Sequence, residues 1–226
     1  MGPYVSSYSR EGRHLLLGGR MGHLAAFDWL TKKLLCEINV AESVHAVQWL
    51  HQPTMFAVAQ KQWTYLYDTQ GVELHCLKAL YRVTSMTFLP YHFLLVTASE
   101  RGFIHWVDIS TGTMICNLNT RSGRIPVLQQ NPANGIVISG HSNGVIRMWS
   151  PNSSSNIAEV LAHRSSVTDV VIDRDGVNLI TAGFDRAIKI WDIRMLRPSQ
   201  IYSIGRTPMH LALSDTQMLA LTFNNQ

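Results

Sequence analysis

The stretch VTDVVIDRDGVNLITAGFDRAIKIWD (167–192) decides the fold. Two apolar runs, VTDVVI (167–172) and NLITAG (178–183), flank DRDG (173–176), a tight-turn sequence ending in glycine. A second turn over Phe184–Arg186 leads into AIKIWD (187–192), a third run that reads as a strand. A fourth, looser strand is expected near Ile201–Ile204. Short strands joined by turns this tight pair with their sequence neighbours, so the segment reads as an antiparallel meander.

Its closing residues recur along the chain. An apolar run, an aromatic or bulky residue, then Asp or Ser ends at Asp28 (AAFD), Asp68 (YLYD), Asp108 (HWVD), Ser150 (RMWS) and Asp192 (KIWD), at intervals of 40, 40, 42 and 42 residues. Six residues before each anchor stand Gly22, Gln62, Gly102, Gly144 and Arg186, a turn signal in three of the five copies. A period of 40–45 residues with a terminal Trp-Asp is the signature of a four-stranded propeller blade. The predicted fold is all-β, a WD-repeat β-propeller spanning 1–226. Its blades are expected near 3–40, 41–80, 81–120, 121–162 and 163–204, with a partial sixth over 205–226 built from PMHLALS (208–214) and QMLALTF (217–223). A seven-bladed ring needs about 280–300 residues at this period, and an open ring exposes strand edges that proteins normally cover. The chain is therefore expected to be part of a larger, seven-bladed propeller, truncated or completed elsewhere.

Composition narrows the function classes. The 226 residues are 46% hydrophobic and only 15% charged, which excludes a disordered chain or a coiled coil. No apolar run approaches the ~18 residues that span a bilayer, and the N-terminus lacks a signal-peptide core. Three cysteines are too few for a disulfide scaffold. The chain reads as soluble and intracellular, with no membrane partner.

The cysteines fit the repeat. Cys36, Cys76 and Cys116 each lie eight residues after an anchor. Zinc ligands usually come in close pairs such as C-x2-C, which this chain lacks, so a small hydrophobe recurring with the period is the better reading. In the fifth copy His163, Thr181, Asp185 and Trp191 fall at the spacing of the buried tetrad typical of WD repeats. A carboxylate would hold the imidazole, the ring would reach the hydroxyl, and the hydroxyl would meet the indole N–H, so every buried polar group gains a partner. The same residue types could form a catalytic set, but the offsets match the stapling network. The fourth copy keeps Ser139 and Trp149, with Asn143 at the Asp position and Arg121 at the His position. The third keeps Thr97, with Arg101 and Val107 at the turn and Trp positions. The degraded blades are expected to rely on apolar packing alone.

Longer strings carry a more specific likeness. GPYVSSYSREGRHLLLGGRMGHLAAFDWLTKKLLCEINV (2–40), FAVAQKQWTYLYDTQGVELHCLK (56–78), FLPYHFLLVTASERGF (88–103) and QNPANGIVISGHSNGVIRMWSP (130–151) together resemble the WD-repeat family of the small-subunit processome, often called the BING-four family. The resemblance covers nearly the whole chain. It implies a nucleolar, non-catalytic scaffold whose partners are processome proteins and pre-ribosomal or small nucleolar RNA. Members of the family carry a basic segment before the propeller and a distinctive domain after it, and neither occurs in this sequence.

No H-E-x-x-H, G-x-S-x-G, P-loop or C-x-x-C motif is present, so no catalytic residue, metal ligand, cofactor or small-molecule substrate is assigned. The glycines of GGRMGH (18–23) open a strand rather than a helix, which leaves no helix terminus for a phosphate. The charges are more telling. Loops joining strand four to the next strand one share a face with the strand-two-to-three turns. That face should gather Arg20, Lys61, Arg82, Arg101, Arg121, Arg124, Arg164, Arg186 and Arg206 against only Glu42, Glu100 and Asp185. Arg101, Arg121, Arg124 and Arg164 fall on neighbouring blades and are the candidate contacts for RNA phosphates or an acidic partner, the alternative being ordinary solvation. A competing class is a peptide-reading WD-repeat adaptor, a ubiquitin-ligase substrate receptor or a histone binder. That class calls for an acidic or aromatic central pocket, whereas these loops are basic.

Overall fold

The computed structural model describes residues 3–223, in which every regular element is a strand. The first sheet comprises β1 (Tyr4–Tyr8), β2 (His14–Gly19), β3 (His23–Asp28) and β4 (Lys33–Asn39). The second holds β5 (Ala46–Trp49), β6 (Met55–Ala59), β7 (Thr64–Asp68) and β8 (Glu73–Leu77). The third holds β9 (Val83–Leu89), β10 (Leu94–Ser99), β11 (Phe103–Asp108) and β12 (Met114–Asn119), and the fourth β13 (Val127–Gln130), β14 (Val137–Gly140), β15 (Val145–Trp149) and β16 (Ala158–Leu161). The fifth runs through β17 (Val167–Ile172), β18 (Asn178–Gly183), β19 (Ala187–Asp192) and β20 (Arg197–Ser203), and β21 (Pro208–Leu213) pairs with β22 (Leu219–Phe223) in a two-stranded sheet. Each four-stranded sheet keeps sequence order. The chain is thus an all-β, partial WD-repeat β-propeller. No helix long and apolar enough to cross a membrane occurs among the described residues.

β20 starts earlier than the fourth strand expected near Ile201–Ile204, because its ladder begins with Arg197 opposite Asp192 and absorbs an irregularity beside Trp191. All seven of its residues are exposed, so no buried alternation marks it in the sequence.

The anchors owe their residue type to the turn that follows. Asp28 Oδ1 accepts the N–H of Leu30 at 3.0 Å, Asp108 Oδ1 that of Ser110 at 2.8 Å, and Asp192 Oδ1 that of Arg194 at 2.8 Å. Asp68 Oδ1 takes the neighbouring Thr69 N–H at 2.7 Å. A short side-chain acceptor at the strand end satisfies a turn donor that no ladder can reach. Asp28 also takes two bonds from the Arg13 guanidinium, at 2.8 and 3.0 Å, which hold its carboxyl well below the usual carboxylate range.

The residues form two compact units, one made of the chain up to Glu100 with Ile104–Asn117, the other of Arg101–Phe103 with Leu118 onward. In the first unit, Leu16, Leu24, Val47, Trp49 and Phe56 pack between the first two sheets, and Leu66, Val83, Phe88 and Leu95 between the second and third. In the second unit, Ile138, Ile146, Val167, Val170 and Trp191 fill the space between the fourth and fifth sheets. Within each unit the core is thus apolar layers between successive sheets, and β6 feeds two of them, Phe56 and Val58 on one side and Ala57 and Ala59 on the other.

Candidate functional site

In the fifth blade His163, Thr181, Asp185 and Trp191 come together. His163 Nδ1 lies 2.9 and 3.1 Å from the two Asp185 oxygens, and its Nε2 lies 2.9 Å from Thr181 Oγ1. The Trp191 indole N–H donates to the same hydroxyl at 3.0 Å. Burial pushes the His163 pKa down against the pull of Asp185, so the ring is neutral near pH 7. Burial alone would raise the Asp185 pKa, yet His163 and the N–H groups of Arg164 and Ala187 hold it low. The proton therefore sits on Nδ1, facing the carboxylate, and Nε2 accepts the Thr181 hydroxyl. Thr181 is fully buried, so no solute reaches the hydroxyl and the set cannot act as a nucleophile. Gly183 makes room for the ring: a Cβ there would lie 2.6 Å from His163.

The fourth blade is not left to apolar packing. His141, at the position of Gly183 in the repeat, places Nε2 2.9 Å from Ser139 Oγ, and Trp149 donates to that hydroxyl at 2.8 Å. An imidazole from the end of β14 thus takes the place of the one the fifth blade draws from its first loop. Arg121, at the position of His163, is exposed instead. Asn143 accepts the N–H of Val145 at 3.1 Å and does not reach the ring. His141 Nδ1 is consequently buried without a hydrogen bond, and burial, with Arg147 nearby, pushes the ring's pKa down to about 4. In the second blade Gln60 donates to the Tyr67 hydroxyl at 2.7 Å between two buried side chains, with Tyr67 at the Trp position of the repeat. The expectation of apolar packing alone therefore fails for these two blades, where polar residues at other offsets rebuild a link.

A cation on the third strand seats the loop before each of the last two full blades' tetrad positions. Arg147 donates to the Thr120 carbonyl, and Lys189, at the same place one repeat later, to the Ala162 carbonyl. The neighbouring residues are the rim arginines. Thr120 gives its N–H and hydroxyl to the Gly102 carbonyl at 2.9 and 2.8 Å, and the Ser142 N–H reaches the Arg124 carbonyl at 3.2 Å. Gly144 accepts the N–H groups of Ala162 and His163, both at 3.0 Å, and a Cβ on it would lie 2.1 Å from the His163 carbonyl oxygen. Turn, loop, turn and loop are thereby stitched in succession within the second unit. Arg101, Arg121, Arg124 and Arg164 all stand on this seam with exposed side chains. Arg121, Arg124 and Arg164 make no ion pair among the described residues. By contrast Arg82, which the sequence assigns to the same face, is 3.4 Å from Glu100.

Asn119 and Asp185 hold the seam's backbone, accepting the N–H groups of Arg121 at 2.9 Å and Arg164 at 3.3 Å. Arg121 itself has φ 51°, a left-handed conformation that fixes where its side chain leaves the loop. Exposed guanidiniums on one seam can take phosphate or carboxylate oxygens in bidentate fashion.

Comparison with known proteins matches one repeat family over part of the chain and several relatives over nearly all of it. The WD domain, G-beta repeat family matches residues 154–192. WD repeat-containing protein 46 of Mus musculus is 48% identical over 219 residues, covering 96% of this chain and 35% of the relative. The protein of the same name in Caenorhabditis elegans is 45% identical over 224 residues, 99% of this chain and 39% of the relative. U3 small nucleolar RNA-associated protein 7 of Saccharomyces cerevisiae is 41% identical over 224 residues, 98% of this chain and 40% of the relative. The chain therefore spans well under half the length of these relatives.

Proposed function

We propose that this chain, which belongs to the WD-repeat proteins, is a non-enzymatic scaffold in small-subunit ribosome biogenesis. It contributes to pre-ribosomal RNA processing by holding processome proteins and pre-ribosomal or small nucleolar RNA in the nucleolus. The observation that carries this reading is the 41% identity, over 98% of the chain, to a yeast protein whose name states association with U3 small nucleolar RNA. Arg101, Arg121, Arg124 and Arg164, exposed along the stitched seam, support the reading as candidate contacts for RNA phosphates. Phosphate contacts of this kind give affinity that is independent of sequence and weakens with salt.

Crosslinking in cells, with the attached RNA sequenced, tests the reading. Recovery of pre-ribosomal or small nucleolar RNA, and nucleolar enrichment that collapses when ribosomal transcription is blocked, are expected. A diffuse protein crosslinked to neither RNA would overturn it.

A further inference from the structure

The first unit carries a second surface of opposite character. Between β4 and the paired strands β7–β8 lies an open groove of about 440 Å³. Tyr65 and Tyr67 are two residues apart on β7 and so share one face, their rings 6.3 Å apart along one wall. Ile38 of β4 supplies apolar surface opposite. Glu42 and Glu73 stand exposed at the groove, and neither makes an ion pair among the described residues.

Gln60 lines the same groove while only 4% exposed. Its amide N–H goes to Tyr67, and its carbonyl oxygen has no partner among the described residues. An amide oxygen with no protein donor at the wall of a groove marks a place where a ligand donor is expected. The carboxylates act on the phenols as well. The Tyr65 hydroxyl is pushed up to about 12, first by partial burial, then by Cys76, Glu42 and Glu73, and Tyr67 is raised by burial with the same two glutamates contributing.

We propose that this groove binds an arginine side chain of an extended, basic peptide segment from a partner protein. The guanidinium lies against the tyrosine rings, donates to Glu42, Glu73 and the Gln60 carbonyl, and rests its methylene stem along Ile38. Each element suits this ligand: two unpaired carboxylates, aromatic faces for a cation, an open acceptor and an apolar strip. An RNA phosphate is excluded here by the same carboxylates. The inference goes beyond the RNA reading and stands without it, since the groove and the arginine seam share no residue.

Fluorescence anisotropy on the intact chain tests it, with a fluorescein-labelled ten-residue peptide of alternating glycine and arginine as probe. The peptide should bind and weaken with salt, and its citrulline counterpart, isosteric but uncharged, should not. Glu42→Gln with Glu73→Gln should weaken binding at least tenfold, and so should Tyr65→Ala. Glu11→Gln with Asp215→Gln, which removes the same charge elsewhere, should leave affinity within twofold. The triple change of Arg121, Arg124 and Arg164 to Ala should leave peptide binding intact, so failure of the RNA reading would be seen separately. Equal binding of the citrulline peptide, or equal loss in the two double variants, overturns the proposal.

Discussion

His141 and His163 bring their Nε2 atoms to the same 2.9 Å from a buried hydroxyl, although the two rings leave the chain at different places in the repeat. The fifth blade draws its imidazole from the loop before its first strand, the fourth from the end of its second strand. The two arrangements are mutually exclusive in one blade, because a side chain at Gly183 would occupy the space of the His163 ring. Gly183→His should therefore destabilise strongly on its own and much less in the presence of His163→Ala. A double-mutant cycle read by urea denaturation should give a coupling of about 1–3 kcal/mol. Additive losses would mean that the two rings do not compete for one site.

Removing the carboxylate tests the tetrad from its other end. Asp185→Ala leaves the His163 N–H buried without an acceptor, which should cost about 1–3 kcal/mol. Asn143→Ala, at the matching position of the fourth blade, loses only a turn acceptor and should cost less, about 0.5–1.5 kcal/mol. RNA binding by the folded fraction should survive both. Full stability with lost binding in Asp185→Ala would point instead to a functional site.

Acid should loosen the second unit. His141 and His163 both have folded pKa values depressed by burial, His141 to about 4 against an ordinary 6.5. Below pH 6.5 the unfolded chain takes up protons that these folded rings refuse, so stability falls as pH drops and levels off near the folded pKa. For His141 alone the loss between pH 7 and 4 is on the order of 3 kcal/mol. His210 acts in the opposite direction, its pKa raised by Asp169, so its stabilisation is full in acid and fades as pH rises. That side chain is 76% exposed and its contribution is screened, so the buried rings dominate. Urea midpoints measured from pH 7.5 to 4.5 should decline, and His141→Gln should flatten the decline. A pH-independent midpoint would show that neither ring stays neutral.

The arginine seam makes a prediction in salt. Arg121, Arg124 and Arg164 changed together to Ala should weaken RNA binding by similar factors across sequences. The slope of log affinity against log salt should flatten by roughly 2–3 for three lost phosphate contacts. Melting temperature should hardly move, since all three side chains are exposed. An unchanged slope would remove RNA phosphate as their partner.

The meander of 167–192 was legible because alternation, turn residues and spacing agreed, and the tetrad followed from the spacing alone. His141 was not, because a template that seeks an imidazole at position 121 finds Arg121 and stops. The available signal was the coincidence of His at 141, where the fifth copy has Gly183, with loss of the usual His and Asp in one repeat. Gln60 escaped for the same reason: its partner Tyr67 sits where the template expects Trp. The tyrosine groove could not be read at all. Glu42 lies in the loop after β4 and Glu73 on β8, and only the packing of β4 beside β7–β8 brings them to one cavity with Ile38.

The bonds that make a blade interior also set a timetable. The tetrad contacts join residues 10 to 22 positions apart within one repeat, and the Lys189 clasp reaches 27 positions back to Ala162, at the end of the repeat already made. A chain emerging from the ribosome at about 5–20 residues per second delivers one such repeat in roughly 2–8 s. A hairpin closes in about 1–10 μs. Each blade can therefore complete its polar interior before the next has been synthesised, and the order of translation becomes the order of assembly. The apolar layers between sheets then form against a neighbour already in place, which spares the growing protein the slow search that distant strand pairing demands.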